Sequence, residues 1–203
     1  MKILIACEYS GVVRDAFIAK GHEAISCDLR PTDNPGPHIQ DDVLNHLDEG
    51  WDMMIAHPYC TFNCLSGIRW MYHPEDTHLP AEERRRHPQY PNRMKDFEEG
   101  AKFFLKLANA KIDKIAIENS QPHGLAMAKF GRYTQKVQPW MFGDPVTKGA
   151  YLWLKGLPLL TSTHKKPNVI AAVCHHMPPG KDREKERSRT NQAIANAMAE
   201  QWG

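Results

Sequence analysis

Cys60 directly follows a strand-like run, and two further reactive side chains follow a second one. The segment Ala56–Gly67 reads AHPYCTFNCLSG and comes after the run WDMMI, while Glu118 and Asn119 close the apolar run Lys114–Ile117. A cysteine that a proline-containing turn holds at the carboxyl end of a buried strand is either a thiolate nucleophile or an inert core thiol. A thiol, a carboxyl group and an amide together could perform covalent catalysis assisted by a general acid.

Polar residues also end the earlier strand-like runs. Ser10 and Gly11 follow the first run, Asp28 ends the second, and Asp42 comes about a dozen residues later. A glycine lets a ligand approach the backbone, and a carboxylate after the second strand can bind a ribose hydroxyl. The sequence has neither the GxGxxG of dinucleotide binders nor the GxxxxGK[ST] of phosphate loops after that strand. We therefore expect a nucleoside ligand without a pyrophosphate.

Alternating strands and helices position these side chains. Their β-α-β-α-β order predicts an α/β fold with a Rossmann-like, doubly wound, mostly parallel sheet, in which the strand ends meet at one edge. The predicted strands are Lys2–Ala6, Glu23–Cys27, Asp52–Ala56 and Lys114–Ile117, and the predicted helices are Val12–Lys20, Val43–Leu47 and Asn92–Ala110.

The rest of the chain is less regular, and we expect one domain over residues 1–203 with a small irregular C-terminal part. Residues 57–91 hold five prolines and four histidines and predict a long loop, of which about 61–91 lies at the active edge. Further strands are expected at Lys136–Phe142 and Ala150–Leu154, and a closing helix at Thr190–Trp202.

Composition narrows the class of protein. The chain has 203 residues, 41% hydrophobic and 25% charged, with a formal net charge of +2. No apolar run reaches the roughly 20 residues of a membrane span, and we expect no signal peptide. Five cysteines at irregular spacing favour a reducing, cytoplasmic setting. The histidines at 73, 78 and 87 and the string Cys174-His175-His176 match no closed zinc pattern, so no metal is expected.

These segments, in this order, resemble the DNA cytosine carbon-5 methyltransferases. Tyr9-Ser10-Gly11 resembles that family's cofactor loop, and the segment from Pro58 to Gly67 resembles its nucleophile segment, with Tyr59 in place of a proline. Glu118-Asn119-Ser120 resembles its Glu-Asn-Val. The strings at 155–158 and 186–190, Lys-Gly-Leu-Pro and Glu-Arg-Ser-Arg-Thr, are similar to a short phage-encoded branch.

The resemblance implies S-adenosylmethionine as cofactor and a class I methyltransferase fold. The cofactor residues that it implies are Glu8, Tyr9, Ser10, Gly11, Asp28, Leu29, Asp42, Val43 and Pro58. It also implies that the Cys60 thiolate, with a lowered pKa, adds to carbon 6 of cytosine. Glu118 would donate a proton to N3 and Asn119 would fix the Glu118 turn, while Cys64 is expected only to pack.

The implied substrate is DNA, either a duplex with the base flipped out or a single strand. Two basic clusters could hold its phosphates, and the residues assigned to substrate are Arg84, Arg85, Arg86, Arg187 and Arg189. The roughly eighty residues after Asn119 leave no room for a full target-recognition domain, so weak specificity, a homo-oligomer or a specificity partner stay open. If the chain is phage-encoded, it would act in the host cytoplasm.

Two other functions fit parts of the pattern. His57-Pro58-Tyr59 could be a distorted form of the Pro-Pro-aromatic turn of methyltransferases that modify the amino group of adenine (N6) or cytosine (N4). A catalytically inactive nucleic-acid or protein-binding module on the same fold is the other alternative. The carbon-5 reaction requires Cys60, and neither alternative does.

Overall fold

Seven strands form one sheet in the part of the chain that the computed structural model describes, residues 1–172, 178–180 and 183–203. The strands are β1 (Lys2–Ala6), β2 (Glu23–Asp28), β3 (His38–Gln40), β4 (Met53–Ala56), β5 (Lys114–Asn119), β6 (Gln135–Val137) and β7 (Ala150–Lys155). The helices are α1 (Val12–Ile18), α2 (Arg93–Ala108), α3 (Gly124–Phe130), α4 (Arg183–Ser188) and α5 (Gln192–Trp202).

The sheet has the order β3-β2-β1-β4-β5-β7-β6, and only β7 runs antiparallel to its neighbours. The carboxyl ends of β1, β2, β4 and β5 therefore open on one edge. The register pairs Ala6 with Ala56 and Ala56 with Ile117, which brings the turns after these three strands to the same level. The expected α/β, Rossmann-like, mostly parallel fold is confirmed.

The central strands are mainly apolar, as expected where helices cover both faces of a sheet. All four residues of β4, Met53 to Ala56, are fully buried. On one face, Phe17 of α1 and Trp202 of α5 pack against β1 and β4, and on the other face Phe104 of α2 packs against them. No helix among the described residues combines the length and apolar character needed to cross a membrane.

Most predicted elements are present, and two need correction. The predicted helix Val43–Leu47 is a short 3-10 helix, Val43–Asn45. The predicted strand Lys136–Phe142 ends at Val137, because Pro139 cannot donate a ladder hydrogen bond and instead begins a 3-10 turn, Pro139–Phe142. The short strand β3 and the helices α3 and α4 were not predicted. Each of them is only three to seven residues long, which is too short for a periodic pattern.

The long segment after β4 is more ordered than a plain loop. It contains three 3-10 helices, Ile68–Trp70, Pro74–His78 and Ala81–Glu83, and Met71 packs with Phe97 in a small core of its own. Asp76 is buried and accepts hydrogen bonds from the guanidinium and backbone N–H of Arg85. These hydrogen bonds hold the pKa of Asp76 well below its usual range.

Arg14 is a fully buried cation that organises the turns after β1 and β2. Its guanidinium donates to the hydroxyls of Ser26 and Thr32 at 3.2 and 3.1 Å and to the carbonyl of Asn34 at 3.0 Å. A Cβ added at Gly11 would lie 2.5 Å from its Nη2, and Gly11 has a φ of 75°. Position 11 therefore accepts only glycine while Arg14 occupies this site.

We expect Arg14→Met to destabilise the fold by about 3 kcal/mol, because it leaves buried hydroxyl and carbonyl groups without their charged donor. Urea denaturation measures the effect. Lys20→Met is the matched control, since Lys20 pairs with Glu200 at the exposed surface and should change stability by less than about 1 kcal/mol. Equal stability losses in both variants would contradict an organising role for Arg14.

Candidate active site

Two adjoining cavities open at the carboxyl ends of the parallel strands. The larger, which we call the strand-end cavity, has a volume of about 410 Å³ and lies over β1 and β2. The smaller, the Cys60 cavity, has about 140 Å³ and lies over β4 and β5. His57 and Tyr59 line both cavities, so the turn after β4 forms the wall between them.

Seven of the nine residues expected to hold a cofactor line the strand-end cavity: Glu8, Tyr9, Ser10, Asp28, Leu29, Asp42 and Val43. Pro58 lines the Cys60 cavity instead, and Gly11 lines neither. The wall combines carboxylates with apolar side chains, among them Phe103 of α2, which sequence reasoning did not single out. Such a wall suits a ligand with hydroxyl or amino donors and an apolar ring.

Glu8 is buried and serves the fold at this site. Its carboxylate accepts hydrogen bonds from the backbone N–H groups of Val13 at 2.8 Å and Arg14 at 3.2 Å, and from the Ser10 hydroxyl at 3.0 Å. It thus satisfies the free donors at the start of α1. Asp42 also caps a helix. One of its carboxylate oxygens accepts a hydrogen bond from the N–H of Leu44 at 3.0 Å, at the start of the short 3-10 helix Val43–Asn45, as predicted.

Two cysteines on the wall of the strand-end cavity are not nucleophiles at neutral pH. Burial raises the pKa of Cys7 above the range in which a thiol ionises, and it raises the pKa of Cys27 to about 11. Cys7 is the only non-glycine residue of the described chain with a positive φ, 57°. Its backbone conformation turns the chain out of β1 towards the cavity.

Asn119 ties together the turns that carry Cys60 and Glu118. Its side-chain amide is buried and donates to the carbonyl of Pro58 at 3.2 Å, and its Oδ1 accepts from the N–H of Ser120 at 2.8 Å. The Ser120 hydroxyl in turn donates to the Sγ of Cys60 at 3.3 Å. The structure therefore brings Cys60, Glu118 and Asn119 into one cavity, although sixty residues of chain separate them.

Cys64 is the hydrogen-bond partner of Cys60 and does more than pack. The N–H of Cys64 donates to the Cys60 carbonyl at 3.0 Å, and this helical turn puts both thiols on one side. The hydrogen bond with Cys64, and then burial, raise the pKa of Cys60, so the expected lowering at Cys60 is wrong. The same hydrogen bond lowers the pKa of Cys64 to about 5, helped by the Ser66 hydroxyl at 3.1 Å.

His57 belongs to this site, although the sequence analysis considered it only as part of a turn typical of amino-group methyltransferases. Its Nδ1 lies 3.2 Å from Oε2 of Glu118 and 3.4 Å from the Thr190 hydroxyl. Its Nε2 is buried and has no hydrogen-bond partner. The imidazole thus stands between the two cavities with one nitrogen holding the Glu118 carboxyl group.

The segment from Lys185 to Thr190 lies over both cavities, and no strand or helix pattern predicted this position. Its Ser188, Arg189 and Thr190 line both cavities, and Arg187 lines the Cys60 cavity. Asp33 anchors it through ion pairs with Lys185 at 2.6 Å and Arg189 at 2.7 Å, and the Tyr9 hydroxyl bonds Ser188 at 2.8 Å. The hydrogen bond with Lys185 lowers the pKa of Asp33.

The other basic cluster lies apart from both cavities. Arg85 is committed to Asp76, and Arg84 donates to the carbonyls of Leu79 and Thr77. None of the residues 84–86 lines either cavity. Among the described residues no three His, Cys, Asp or Glu side chains converge on a metal position, and the string at 174–176, like Lys181, lies outside them.

Comparisons with known proteins find similar solved structures only. No protein-family model and no curated protein matches the chain. Similar structures include a prophage-encoded E. coli protein described as a DNA modification methyltransferase (12% identity, TM-score 0.45, covering 83% of this chain and 52% of that one). Another is the Entamoeba histolytica methyltransferase EhMeth, with 11% identity and a TM-score of 0.47, covering 88% of this chain and 60% of that one. A third is the S. pombe Dnmt2 methyltransferase, with 12% identity and a TM-score of 0.43, covering 90% of this chain and 61% of that one. The chain spans between half and about three fifths of their lengths.

We expect iodoacetamide to alkylate the Cys60–Cys64 pair at a pH well below that at which an ordinary thiol reacts, because the hydrogen bond with Cys60 lowers the pKa of Cys64. Peptide mass spectrometry over a pH series measures the rate. In Cys64→Ala the reaction at pH 6 should fall strongly, because burial and the Glu118 charge still raise the pKa of Cys60.

Cys27, with a pKa raised to about 11, is the internal control and should stay unmodified at pH 6 in both proteins. A wild-type rate that declines below pH 8, as for an ordinary thiol with a pKa of roughly 8.5, would contradict the lowered pKa of Cys64.

Proposed function

We propose that this protein transfers a methyl group from S-adenosylmethionine to carbon 5 of cytosine in DNA, with Cys60 as the covalent nucleophile. The observation that carries the proposal is the meeting of Cys60, Glu118 and Asn119 in one small cavity, beside a larger cavity lined by carboxylates. A thiol at carbon 6 of a pyrimidine and an acid at N3 are the two groups that make carbon 5 nucleophilic.

The strand-end cavity fits the cofactor in size and chemistry. About 410 Å³ lies within the usual ~300–1,000 Å³ of small-molecule sites. Asp28 and Asp42 would accept hydrogen bonds from ribose hydroxyls and the adenine amino group, and Leu29, Val43 and Phe103 would pack on the ring. When bound, the cofactor supplies an electrophilic methyl group on a positively charged sulfur, which suits a wall with several carboxylates.

The Cys60 thiolate forms a bond from its sulfur to carbon 6 of cytosine. The electron pair of the carbon 5–carbon 6 double bond moves to form a double bond between carbons 5 and 4. The displaced pair of the carbon 4–N3 bond takes the proton that Glu118 delivers. Carbon 5 thereby becomes the carbon of an enamine. After methylation of carbon 5, N3 returns its proton to Glu118. The carbon 5 proton then leaves to solvent water, the electron pair of its C–H bond re-forms the carbon 5–carbon 6 double bond, and the pair of the sulfur–carbon 6 bond returns to Cys60 as the thiolate.

In this proposal the Cys64 thiolate is the base that accepts the proton of Cys60. The hydrogen bond between the two thiols raises the pKa of Cys60 and lowers that of Cys64, so in this proposal Cys64 carries the negative charge of the pair before the substrate enters. When a base enters the Cys60 cavity, the proton of Cys60 passes to Cys64 and the charge moves to the sulfur that attacks. Two thiols with similar intrinsic affinity for a proton make this exchange cheap.

A base inside a duplex cannot enter a cavity of about 140 Å³. The target must be flipped out or already single-stranded. Arg187 and Arg189 line this cavity and would hold the phosphates next to the target base. Of the five arginines assigned to substrate, only these two line the cavity that would take the target base.

We expect Cys60→Ser to lose methyl transfer to cytosine at least roughly a thousandfold, because the alkoxide that serine would need does not form near neutral pH. Mass spectrometry of nucleosides from DNA of cells expressing each protein measures the product and its mass. Calorimetric titration with S-adenosylmethionine is the control and should give the same affinity for both proteins.

Full activity of Cys60→Ser, or a methyl group on an exocyclic amine, would refute the covalent mechanism and favour the amino-group alternative. No product and no cofactor binding by the wild type would favour the inactive binding module.

We expect His57→Ala to lower kcat by about tenfold or more and to change its pH profile, because Glu118 loses the donor that orients its carboxyl group. His57→Gln should recover part of the rate, since its amide can donate to the same oxygen. His78→Ala, which changes an exposed histidine that lines neither cavity, is the control. Equal rates and pH profiles in His57→Ala and wild type would refute this role.

A further inference from the structure

A third cavity, of about 420 Å³, lies within the long segment after β4 and shares no residue with the other two. We call it the aromatic pocket. Its walls include Trp70, Tyr72 and His87, and two guanidinium groups, those of Arg69 and Arg84, stand over its rings. None of its lining residues is acidic.

Trp70 is available to a ligand because it belongs to no hydrophobic core. Its neighbours Met71 and Tyr72 pack in or against the small core of this segment, whereas Trp70 makes edge contacts with His87 at 5.3 Å and Tyr90 at 5.4 Å. Tyr90 is itself 45% exposed. Trp70 is only partly buried and lines the pocket, so its indole is within reach of a flat ring that can stack on it.

The positive charge of Arg69 and Arg84 in the pocket favours binding of an anion. Arg84 donates only to carbonyl oxygens, and within the described chain neither Arg69 nor Arg84 forms an ion pair with a carboxylate. Arg69 lies 4.8 Å above the Trp70 ring and Arg84 lies 5.6 Å above the Tyr72 ring. A planar ring next to a phosphate satisfies both features together.

The pocket is joined to the nucleophile by a compact turn. The N–H of Gly67 donates to the Cys64 carbonyl at 2.9 Å, and the N–H of Leu65 donates to the Gln121 carbonyl at 2.7 Å. A Cβ at Gly67 would lie 2.3 Å from the Thr61 carbonyl oxygen, so this turn admits no larger residue. Ile68 follows immediately and lines the pocket.

We propose that the aromatic pocket binds a base of the substrate strand that flanks the target cytosine. The base stacks on Trp70, and Arg69 and Arg84 hold its phosphate. The identity of the strand rests on the proposed function. Because every base has a stacking face, this site adds affinity with little sequence preference.

The test measures binding of a fluorescently labelled single-stranded oligonucleotide containing one cytosine, by anisotropy and without methyl donor. We expect Trp70→Ala to raise Kd roughly 5- to 150-fold, and Arg69→Gln to raise Kd and to reduce the salt slope by about one. In turnover, KM for the oligonucleotide should rise while kcat at saturation stays close to wild type. Melting temperature verifies that each variant folds.

Arg132→Gln is the matched control. It removes the same charge from an exposed arginine that also lies over a ring, Tyr133 at 5.6 Å, but it lines none of the three cavities. Unchanged binding in Trp70→Ala and Arg69→Gln, or an equal loss in Arg132→Gln, would overturn the proposal. So would equally tight binding of cytidine monophosphate alone, which would mean a free nucleotide site.

These experiments distinguish an incorrect role for the aromatic pocket from an incorrect reaction. Loss of oligonucleotide binding in Trp70→Ala, together with no transfer by the wild type, leaves the pocket supported and refutes the reaction. Transfer that needs Cys60 but does not depend on Trp70 or Arg69 supports the reaction and overturns the pocket. If Trp70→Ala does not fold, the exposed Arg69→Gln variant and Trp70→Phe, which keeps a stacking face and should retain binding, decide the outcome.

Discussion

The hydrogen bond from the Asn119 amide to the Pro58 carbonyl is the interaction on which the candidate site depends. The parallel register of β4 and β5 brings the two strand ends level, but a register alone does not fix the turns that follow. The buried Asn119 amide connects these turns. Its Oδ1 accepts a hydrogen bond from the Ser120 N–H, and the Ser120 hydroxyl donates to the sulfur of Cys60. The thiol and the Glu118 carboxyl group are therefore positioned by one short chain of hydrogen bonds. The link from Asn119 to Pro58 is buried, whereas the link from Ser120 to Cys60 is exposed, so the loss of the Asn119 amide is the break that would leave a buried polar group unsatisfied.

A second constraint governs the neighbouring turn after β1. The resemblance calls for a glycine-rich loop there, whereas this chain has Val13 and Arg14. The structure gives the reason: Val13 is part of the core, and the guanidinium of Arg14 fills the space between this turn and the turn after β2. The carboxylate of Glu8 then meets the first N–H groups of α1, which glycine-rich loops leave open to a ligand. One side of the strand-end cavity is thus held by a fixed network within the protein, and its ligand contacts fall to Asp28, Asp42 and the apolar wall.

The three cavities differ in charge in a way that separates their ligands. The strand-end cavity carries carboxylates, which favours a cationic ligand, while the aromatic pocket carries guanidinium groups and no acid, which favours an anion. The Cys60 cavity has one carboxyl group on its wall, that of Glu118, beside the Cys60 thiol and the guanidinium groups of Arg187 and Arg189. His57 stands on the wall between the first and the second, with one nitrogen on Glu118. A cationic ligand and an anionic ligand would therefore favour different cavities.

The sequence by itself determined the α/β sheet, the parallel direction of its main strands and the residues at the strand ends. The period of the hydrophobic pattern, the apolar runs and the acidic residues that end the strands are all local features of the chain. It placed Cys60, Glu118 and Asp28 on one edge for the same reason. Only the tertiary structure decided what those residues meet. The hydrogen bond between the two thiols reverses the expected pKa order. The segment around Arg189 covers the cavities from the far end of the chain, and Trp70 lines a third cavity. Each of these depends on a contact between separate segments or on the details of a turn, and periodicity along the chain carries no information about either.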